Sequence, residues 1–349
     1  MTSIDIGGRR VGPGSPCFVI AEAGVNHNGD VDLALRLVDA AAAAGADAVK
    51  FQTFVAERLV TPDAPKAAYQ LETTDRGQSQ LAMLRSLELT PVEHRLVLER
   101  CRERDILFLS TPFDEESVAV LVQLGVPALK VASPEVTNHP FLELIGGSGL
   151  PVLLSTGMST LVEVEAAVDV VRGAGCDALA LLHCVSSYPA PMDESNLRAI
   201  ATLAERFGVP IGYSDHTLGS AAALGAVALG ASLLEKHVTL DRGLPGPDHA
   251  ASLVPGELAD LIGSIRAVES ALGDGVKRPM PSEVSNRRDV RRSLAAAADL
   301  PAGTVLEPAM LTALRPGTGI SPSERDTVIG RTLVRGLARG ELVGRADLA

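Results

Sequence analysis

Residues 211–240 read IGYSDHTLGSAAALGAVALGASLLEKHVTL, and this stretch decides the fold. A β-prone run over 210–215 leads into Ser214, Asp215 and His216, and a helix-like Ala/Gly/Leu segment follows over 219–229. A second β-prone run over 233–239 carries Glu235, Lys236 and His237. Strand, helix and strand in this order form a βαβ unit, whose two strands run parallel. Side chains alternate along a strand, so Ser214 shares a face with His216, and Glu235 with His237. Two buried strands that both end in chemically capable side chains read as the edge of a site.

The same unit recurs along the chain. β-prone runs at 17–23, 48–53, 106–111, 128–133, 152–156, 179–185, 210–215 and 233–239 alternate with helix-like segments such as 31–44, 91–104, 160–173, 194–206, 219–229 and 256–272. Thr90-Pro91-Val92-Glu93 and Thr160-Leu161-Val162-Glu163 are capping boxes, the first with proline at the opening helical position. Eight strands, each followed by a helix, predict an α/β fold, a (β/α)8 barrel over residues 1–273. The polar segment 55–88 is long for a βα connection and is expected to be a lid or substrate loop. Residues 274–289, rich in proline and charge, read as a linker, and 290–349 as a small β-rich module.

Composition narrows the function. The 349 residues carry a net charge of −12 and no long basic run, which argues against electrostatic binding of nucleic acid. The N-terminal stretch lacks the apolar core of a signal peptide, and the most apolar run, near 219–234, is short for a membrane span. Cys17, Cys101, Cys176 and Cys184 form no C-x-x-C pair, so a thiolate zinc site is not expected, and Cys184 reads as core. A cytoplasmic protein with reduced thiols is the expectation.

In a barrel the active site lies at the C-terminal ends of the strands. Those ends carry Glu22, Lys50, Gln52, Ser110, Thr111, Lys130, Ser133, Ser155, Thr156, His183, Ser214, His216, Glu235 and His237. Only five lysines occur among 31 basic residues, so Lys50 and Lys130 inside apolar runs call for an anionic partner. That partner is either a phosphorylated or carboxylated substrate or an internal acid, with Glu22 the candidate for Lys50; the rival role for these lysines is Schiff-base chemistry, as in an aldolase on the same barrel. Neutral imidazoles are good ligands for a divalent transition metal, so His216 and His237 are either metal ligands or hydrogen-bonded core histidines. His27 and His183 read as positioning or structural residues. The cluster Arg287, Arg288, Arg291 and Arg292 reads as a solvated hinge or a subunit contact.

The motifs FVIAEAGVNHNGD, VKFQTF, FLSTPFD, LKVASPE, VLLSTGMST, LLHCVSSYPAP, IGYSDHTLG, LEKHVTLDR, GPDHAASL and LRPGTGISP resemble, in order and spacing, the sialic acid synthase family. The likeness extends over nearly the whole chain and includes a C-terminal antifreeze-like (SAF) module. It implies condensation of phosphoenolpyruvate with an N-acylated mannosamine-type sugar to give a nine-carbon keto acid and phosphate. By the same resemblance His216 and His237 hold a divalent metal, manganese first and magnesium or cobalt as alternatives. Lys50, Thr111, Lys130, Ser133, Ser155 and Ser214 match phosphoenolpyruvate positions, and Glu22 a carboxylate that handles the attacking water. Gln52, Glu135, Tyr188 and Asp248 match sugar contacts. Arg315 matches an arginine given to the partner's site in a domain-swapped homodimer. The expected activity is N-acetylneuraminate synthase. The alternatives are a legionaminic acid synthase using a 2,4-diacetamido-2,4,6-trideoxymannose acceptor and, in another class, a carbohydrate-binding non-enzyme built on the SAF module.

Overall fold

A computed structural model describes residues 2–349. The chain divides into two compact units, one running through Gly273 and the other Asp274–Ala349. The first opens with an antiparallel hairpin, β1 (Ile4–Ile6) and β2 (Arg9–Val11). Eight parallel strands follow: β3 (Phe18–Gly24), β4 (Ala48–Thr53), β5 (Leu107–Pro112), β6 (Leu129–Val131), β7 (Val152–Ser155), β8 (Leu179–Cys184), β9 (Ile211–Asp215) and β10 (Leu233–His237). They form one sheet in the order β5-β4-β3-β10-β9-β8-β7-β6. This is a (β/α)8 barrel, closed by ladders everywhere except between β5 and β6.

Alternation sorts the side chains into two cores. Val19, Val49, Phe108, Leu154, Leu181 and Tyr213 point outward and pack with the helices. Phe18, Ile20, Ala48, Leu109, Leu153, Leu182 and Leu233 point inward and join Ile4, Ile6 and Val11 of the hairpin. The hairpin thus plugs the N-terminal end of the barrel with apolar surface. The next inward layer toward the C-terminal end is Glu22, Lys50, Thr111, Lys130, Ser155, Ser214 and Glu235, all buried. The change from apolar to charged occurs within one two-residue step on β3, β4 and β10.

One charged pair faces the other way. Lys236 Nζ donates to Asp215 Oδ2 at 2.7 Å and to the Thr217 carbonyl, and both side chains have zero exposure. Asp215 Oδ1 in turn accepts from the Thr217 backbone amide and hydroxyl at 2.9 and 2.7 Å. These bonds tie β9 to β10 and fix the backbone on both sides of His216.

One expectation needs correction. The helix expected at 194–206 is Ala199–Phe207, preceded by a 3-10 turn at Met192–Glu194. Asn196 takes a left-handed φ of 41°, which interrupts an α-helix. The segment 55–88, expected as a lid or substrate loop, holds short helices at Ala56–Leu59, Ala68–Thr73 and Gln80–Arg85. Within 274–289, a 3-10 turn at Pro281–Glu283 leads into a helix, Val284–Val290.

The second unit pairs β11 (Ser293–Ala296) with β12 (Leu311–Leu314) in antiparallel fashion. Single bridges such as Leu300 with Leu337 and Leu333 with Leu348 complete it. Its own core comprises Leu294, Leu300, Leu306, Ile320, Val328, Leu333, Leu337 and Val343. Among the described residues no helix is long and apolar enough to cross a membrane, and the four cysteines are buried free thiols.

The outward pair gives a stability prediction. Lys236→Met should destabilise the protein by about 3–5 kcal/mol, because the Asp215 carboxylate is left buried without its counter-charge. Asp215→Asn combined with Lys236→Met should recover part of that loss. Urea unfolding of wild type and the two variants measures both; a Lys236→Met protein as stable as wild type would contradict the assignment.

Candidate active site

The charged layer is a closed network. Lys50 Nζ lies 2.9 Å from Glu22 Oε2 and 3.6 Å from Glu235 Oε2, and donates to Thr111 Oγ1 at 2.9 Å. Lys130 Nζ lies 3.9 Å from Glu235 Oε2 and donates to Ser155 Oγ at 2.6 Å. Ser214 Oγ donates to Glu235 Oε1 at 2.9 Å. Neighbouring strands set these partners: Glu22 registers with Lys50, and Ser214 with Glu235. The internal acid partner expected for Lys50 is therefore present, and there are two of them.

The two carboxylates differ in charge state. Burial pushes the Glu22 carboxyl up to about 7; Lys50 opposes the shift and the Glu235 charge adds to it. Burial also works against an ionised Glu235, but Lys130, Lys50 and the Ser214 hydroxyl outweigh it and hold that group low. Burial would deprotonate Lys50, yet the two carboxylates keep it charged. Burial, with repulsion from Lys50, lowers Lys130 despite Glu235. Glu235 thus keeps the negative charge, and Glu22 can exchange a proton near neutral pH.

Above this layer stand two imidazoles. His216 and His237 have ring centroids 5.6 Å apart, and the Tyr188 ring lies 4.2 Å from His216 and 5.7 Å from His237. His216 Nδ1 is 2.7 Å from the Val185 carbonyl, which can only accept, so Nδ1 carries the hydrogen. Burial keeps the ring neutral, and Nε2 therefore holds a lone pair. Ser214 Oγ lies 3.4 Å from that nitrogen, but its hydrogen is already given to Glu235. His237 Nδ1 is buried without a hydrogen bond, 3.9 Å from Asp248 Oδ2. Burial and the neighbouring His216 lower the His237 pKa well below its usual value, and burial raises Asp248 to about 6. Two neutral imidazoles with uncommitted nitrogens suit a divalent metal. Among the described residues no group of three His, Cys, Asp or Glu is set to hold one. A metal here would keep positions open for substrate and water.

The rim is built around two glycines. Gly24 has φ +53°, and a Cβ there would lie 3.3 Å from Glu22 Oε1, 3.5 Å from Gln52 Nε2 and 3.7 Å from Asp248 Oδ2. Glu22, Gln52 and Asp248 therefore converge on one spot. At Gly157 a Cβ would meet Ser186 Oγ at 2.4 Å and Cys184 Sγ and Ser133 Oγ at 2.9 Å. Ser133 Oγ accepts from the Gly157 amide at 2.9 Å and contacts Cys184 Sγ at 3.2 Å. Cys184 is buried, as expected of a core residue, and its sulfur also touches Ser133 Oγ.

Of the other candidates, Glu135 is half-buried and accepts from Asn138 Nδ2 at 2.7 Å in the turn Ser133–Thr137. Arg315 is exposed and belongs to the C-terminal unit. Ser110 bonds to Thr53 on the outward side. Glu235 pairs with both lysines, a role that only its period-two spacing from His237 and its place after Leu233-Leu234 signal in the sequence. A cavity of the barrel unit of about 570 Å³, lined by Leu218, Arg242, Leu253 and Glu257 among others, contains none of these groups. Chemistry rather than cavity size locates the site.

Comparison with known families accounts for this arrangement. Residues 37–277 match the model described as NeuB family, and residues 291–349 the SAF domain. The chain belongs to the NeuB family. It is 47% identical over 333 residues to N,N'-diacetyllegionaminic acid synthase of Legionella pneumophila, covering 94% of each chain. It is 36% identical to human N-acetylneuraminate-9-phosphate synthase, covering 94% of this chain and 91% of the other. A crystal structure of N-acetylneuraminic acid synthetase from Leptospira borgpetersenii superposes with a TM-score of 0.73 at 39% identity, over 82% of this chain and 95% of that one. The protein is accordingly a phosphoenolpyruvate-dependent nonulosonic acid synthase, a transferase, with a C-terminal SAF domain.

His27 and His183 take structural places in this NeuB-family barrel. His183 Nε2 is 2.9 Å from the Ser195 carbonyl, and His27 Nδ1 accepts from the Gly29 amide at 3.0 Å. Burial lowers the His27 pKa to about 4. The unfolded chain would protonate His27 near pH 6.5, so its contribution is complete above that value and is lost as pH falls toward 4. The loss should reach about 3 kcal/mol. Urea midpoints between pH 7 and 4 should fall less steeply for His27→Asn than for wild type; parallel curves would show that His27 titrates normally.

Proposed function

We propose that this synthase takes a 2,4-diacetamido-2,4,6-trideoxymannose acceptor and makes a legionaminic-type acid. What supports this over the N-acetylneuraminate reading is the higher identity to a legionaminic acid synthase, 47% against 36% for the human sialic acid enzyme. The observation that carries the reaction is the layer of two lysines and two glutamates beneath paired neutral imidazoles.

In this reading Lys50 and Lys130 bind the phosphate and carboxylate of phosphoenolpyruvate, with Thr111, Ser155 and Ser214 as hydroxyl partners and Ser133 fixing the turn at Gly157. His216 and His237 would hold a divalent metal, which supplies Lewis acidity to the acceptor's aldehyde oxygen when bound. The methylene carbon of phosphoenolpyruvate forms the new bond to the aldehyde carbon as the aldehyde C=O π bond breaks onto its oxygen, and positive character develops at C2 of the phosphoenolpyruvate unit. Water adds at C2 while Glu22 accepts its proton and returns it to the former aldehyde oxygen, which becomes a hydroxyl; the C–O bond to phosphate then breaks, the C2 hydroxyl proton leaves with the phosphate, and the keto acid remains. Glu235, held ionised between the lysines, stabilises the developing positive charge. Gln52, Tyr188, Asp248 and Glu135 line the acceptor end. Arg315 closes that end from the partner subunit of a homodimer.

Phosphate release from phosphoenolpyruvate is the test of the acceptor. The diacetamido sugar should exceed N-acetylmannosamine and its 6-phosphate by roughly tenfold or more in kcat/KM, equivalent to about 1.4 kcal/mol. A preference for N-acetylmannosamine would restore the sialic acid reading.

His216→Ala and His237→Ala should each weaken manganese binding, read directly by calorimetry, and lower turnover together with it. Unchanged manganese affinity in both would remove these residues as ligands.

Subunit mixing tests the shared site. An Arg315→Ala chain exchanged with a His237→Ala chain should regain activity, because one site of each heterodimer is intact. Exchange confirmed by mass with no recovery would place Arg315 outside the partner's site.

A further inference from the structure

The C-terminal unit carries an excess of positive charge. It carries twelve basic and nine acidic residues, net +3, while residues 1–273 are net −15. Arg287, Arg288, Arg291 and Arg292 all lie within six positions, and together with Val284, Gly317, Gly319 and Ser321 they line a cavity of about 320 Å³. No carboxylate lines it. Glu283 and Asp289 are near in sequence but absent from the wall, and among the described residues none of the four arginines forms an ion pair. Like charges spaced i,i+4 on a helix repel, as Arg287 and Arg291 do at the end of helix Val284–Val290. A pocket that gathers such charges needs a counter-charge from outside.

The pocket is held in shape. The Gly317 amide donates to the Arg288 carbonyl at 2.8 Å. Ser293 Oγ donates to the Pro316 carbonyl at 2.7 Å and accepts from the Gly319 amide at 2.8 Å. A Cβ at Gly317 would stand 2.8 Å from Arg291 Cβ and 3.2 Å from the Arg287 carbonyl, so only glycine allows this approach. The arginine-bearing segment is thereby locked against loop 316–319, and the guanidinium groups are left exposed around a concave surface.

We propose that this pocket binds a multiply charged oxyanion, a phosphate monoester or diphosphate, on Arg287, Arg288, Arg291 and Arg292. Guanidinium forks pair with phosphate oxygens through two parallel hydrogen bonds, and several forks around one cavity match a polyvalent anion better than a single carboxylate. The small concave volume favours such a ligand over a flat protein surface.

The test is calorimetric titration of the full-length protein with inorganic pyrophosphate at low salt. Three proteins are compared: wild type, Lys130→Met and Arg287→Gln/Arg291→Gln, whose substituted arginines are exposed. Binding should survive Lys130→Met and weaken about tenfold or more in the arginine variant. Parallel titrations with inorganic phosphate and with N-acetylmannosamine 6-phosphate then separate a free anion from one carried by a sugar. Wild-type binding that vanishes in Lys130→Met would assign the anion to the barrel and overturn the proposal. So would equal binding by the arginine variant and wild type. If the arginine substitutions instead dissociate an oligomer and leave pyrophosphate binding unchanged, the cluster is a protein-docking face and the proposal fails. None of these outcomes depends on which acceptor sugar the barrel uses.

Discussion

Everything at the centre of this barrel depends on four charges placed where water is excluded. Each buried ion costs several kcal/mol of desolvation, and attraction offsets that only when geometry is tight and the remaining polar atoms are bonded. Lys50 between Glu22 and Glu235, and Lys130 beside Glu235, meet the charge side of that demand, with hydroxyls from β5, β7 and β9 bonding part of the rest, while Glu22 Oε2 and Glu235 Oε2 have ion-pair contacts but no hydrogen bond. Removing any one charge leaves another uncompensated. The apolar plug of Ile4, Ile6 and Val11 below the layer keeps solvent from the other end of the barrel and so keeps the local dielectric low.

That constraint separates the roles of two similar acids. Glu22 and Glu235 share Lys50, but only Glu235 also has Lys130 and Ser214. The second lysine decides which acid stays ionised. One strand step away the direction of the side chain reverses, and Lys236 pairs with Asp215 outside the barrel. Glu235-Lys236-His237 therefore serves three purposes with three adjacent residues: charge inside, a brace outside, and an imidazole at the rim. The brace holds the turn on which His216 sits, so a purely structural pair controls where the His216 ring points.

The strands were legible because alternation and rare lysines mark them, and the ring of polar strand ends followed from the barrel itself. Lys50, Lys130, Ser214, His216 and His237 could be assigned to one site for that reason. Glu235 was harder to place, since an acid beside a lysine in sequence reads as a local pair, whereas its true partners are Lys50 and Lys130 on other strands. Cys184 was harder too, because sequence does not reveal that Gly157 brings Ser133 against its sulfur. The helix expected at 194–206 failed on one residue, Asn196, whose left-handed backbone has no signal beyond residue type. Spatial facts that join distant segments were the ones local periodicity could not supply.

The internal balance of the network also bears on how such a site can receive an anion. Lys50 and Lys130 are already paired, so an entering phosphate or carboxylate competes with Glu22 and Glu235 for the same ammonium groups. Of the two acids Glu22 yields more readily, because its ion pair is with Lys50 alone, while Glu235 retains Lys130 and Ser214. Anion binding and the basicity of Glu22 are then linked: whatever draws Lys50 away raises the proton affinity of Glu22 and suits it to take a proton from water in the proposed reaction. When the anion leaves and Lys50 returns, that basicity falls. A barrel that holds its lysines charged by internal acids keeps a folded, neutral interior without substrate. It still offers two cations to any anion that binds them more strongly than a carboxylate that can be protonated.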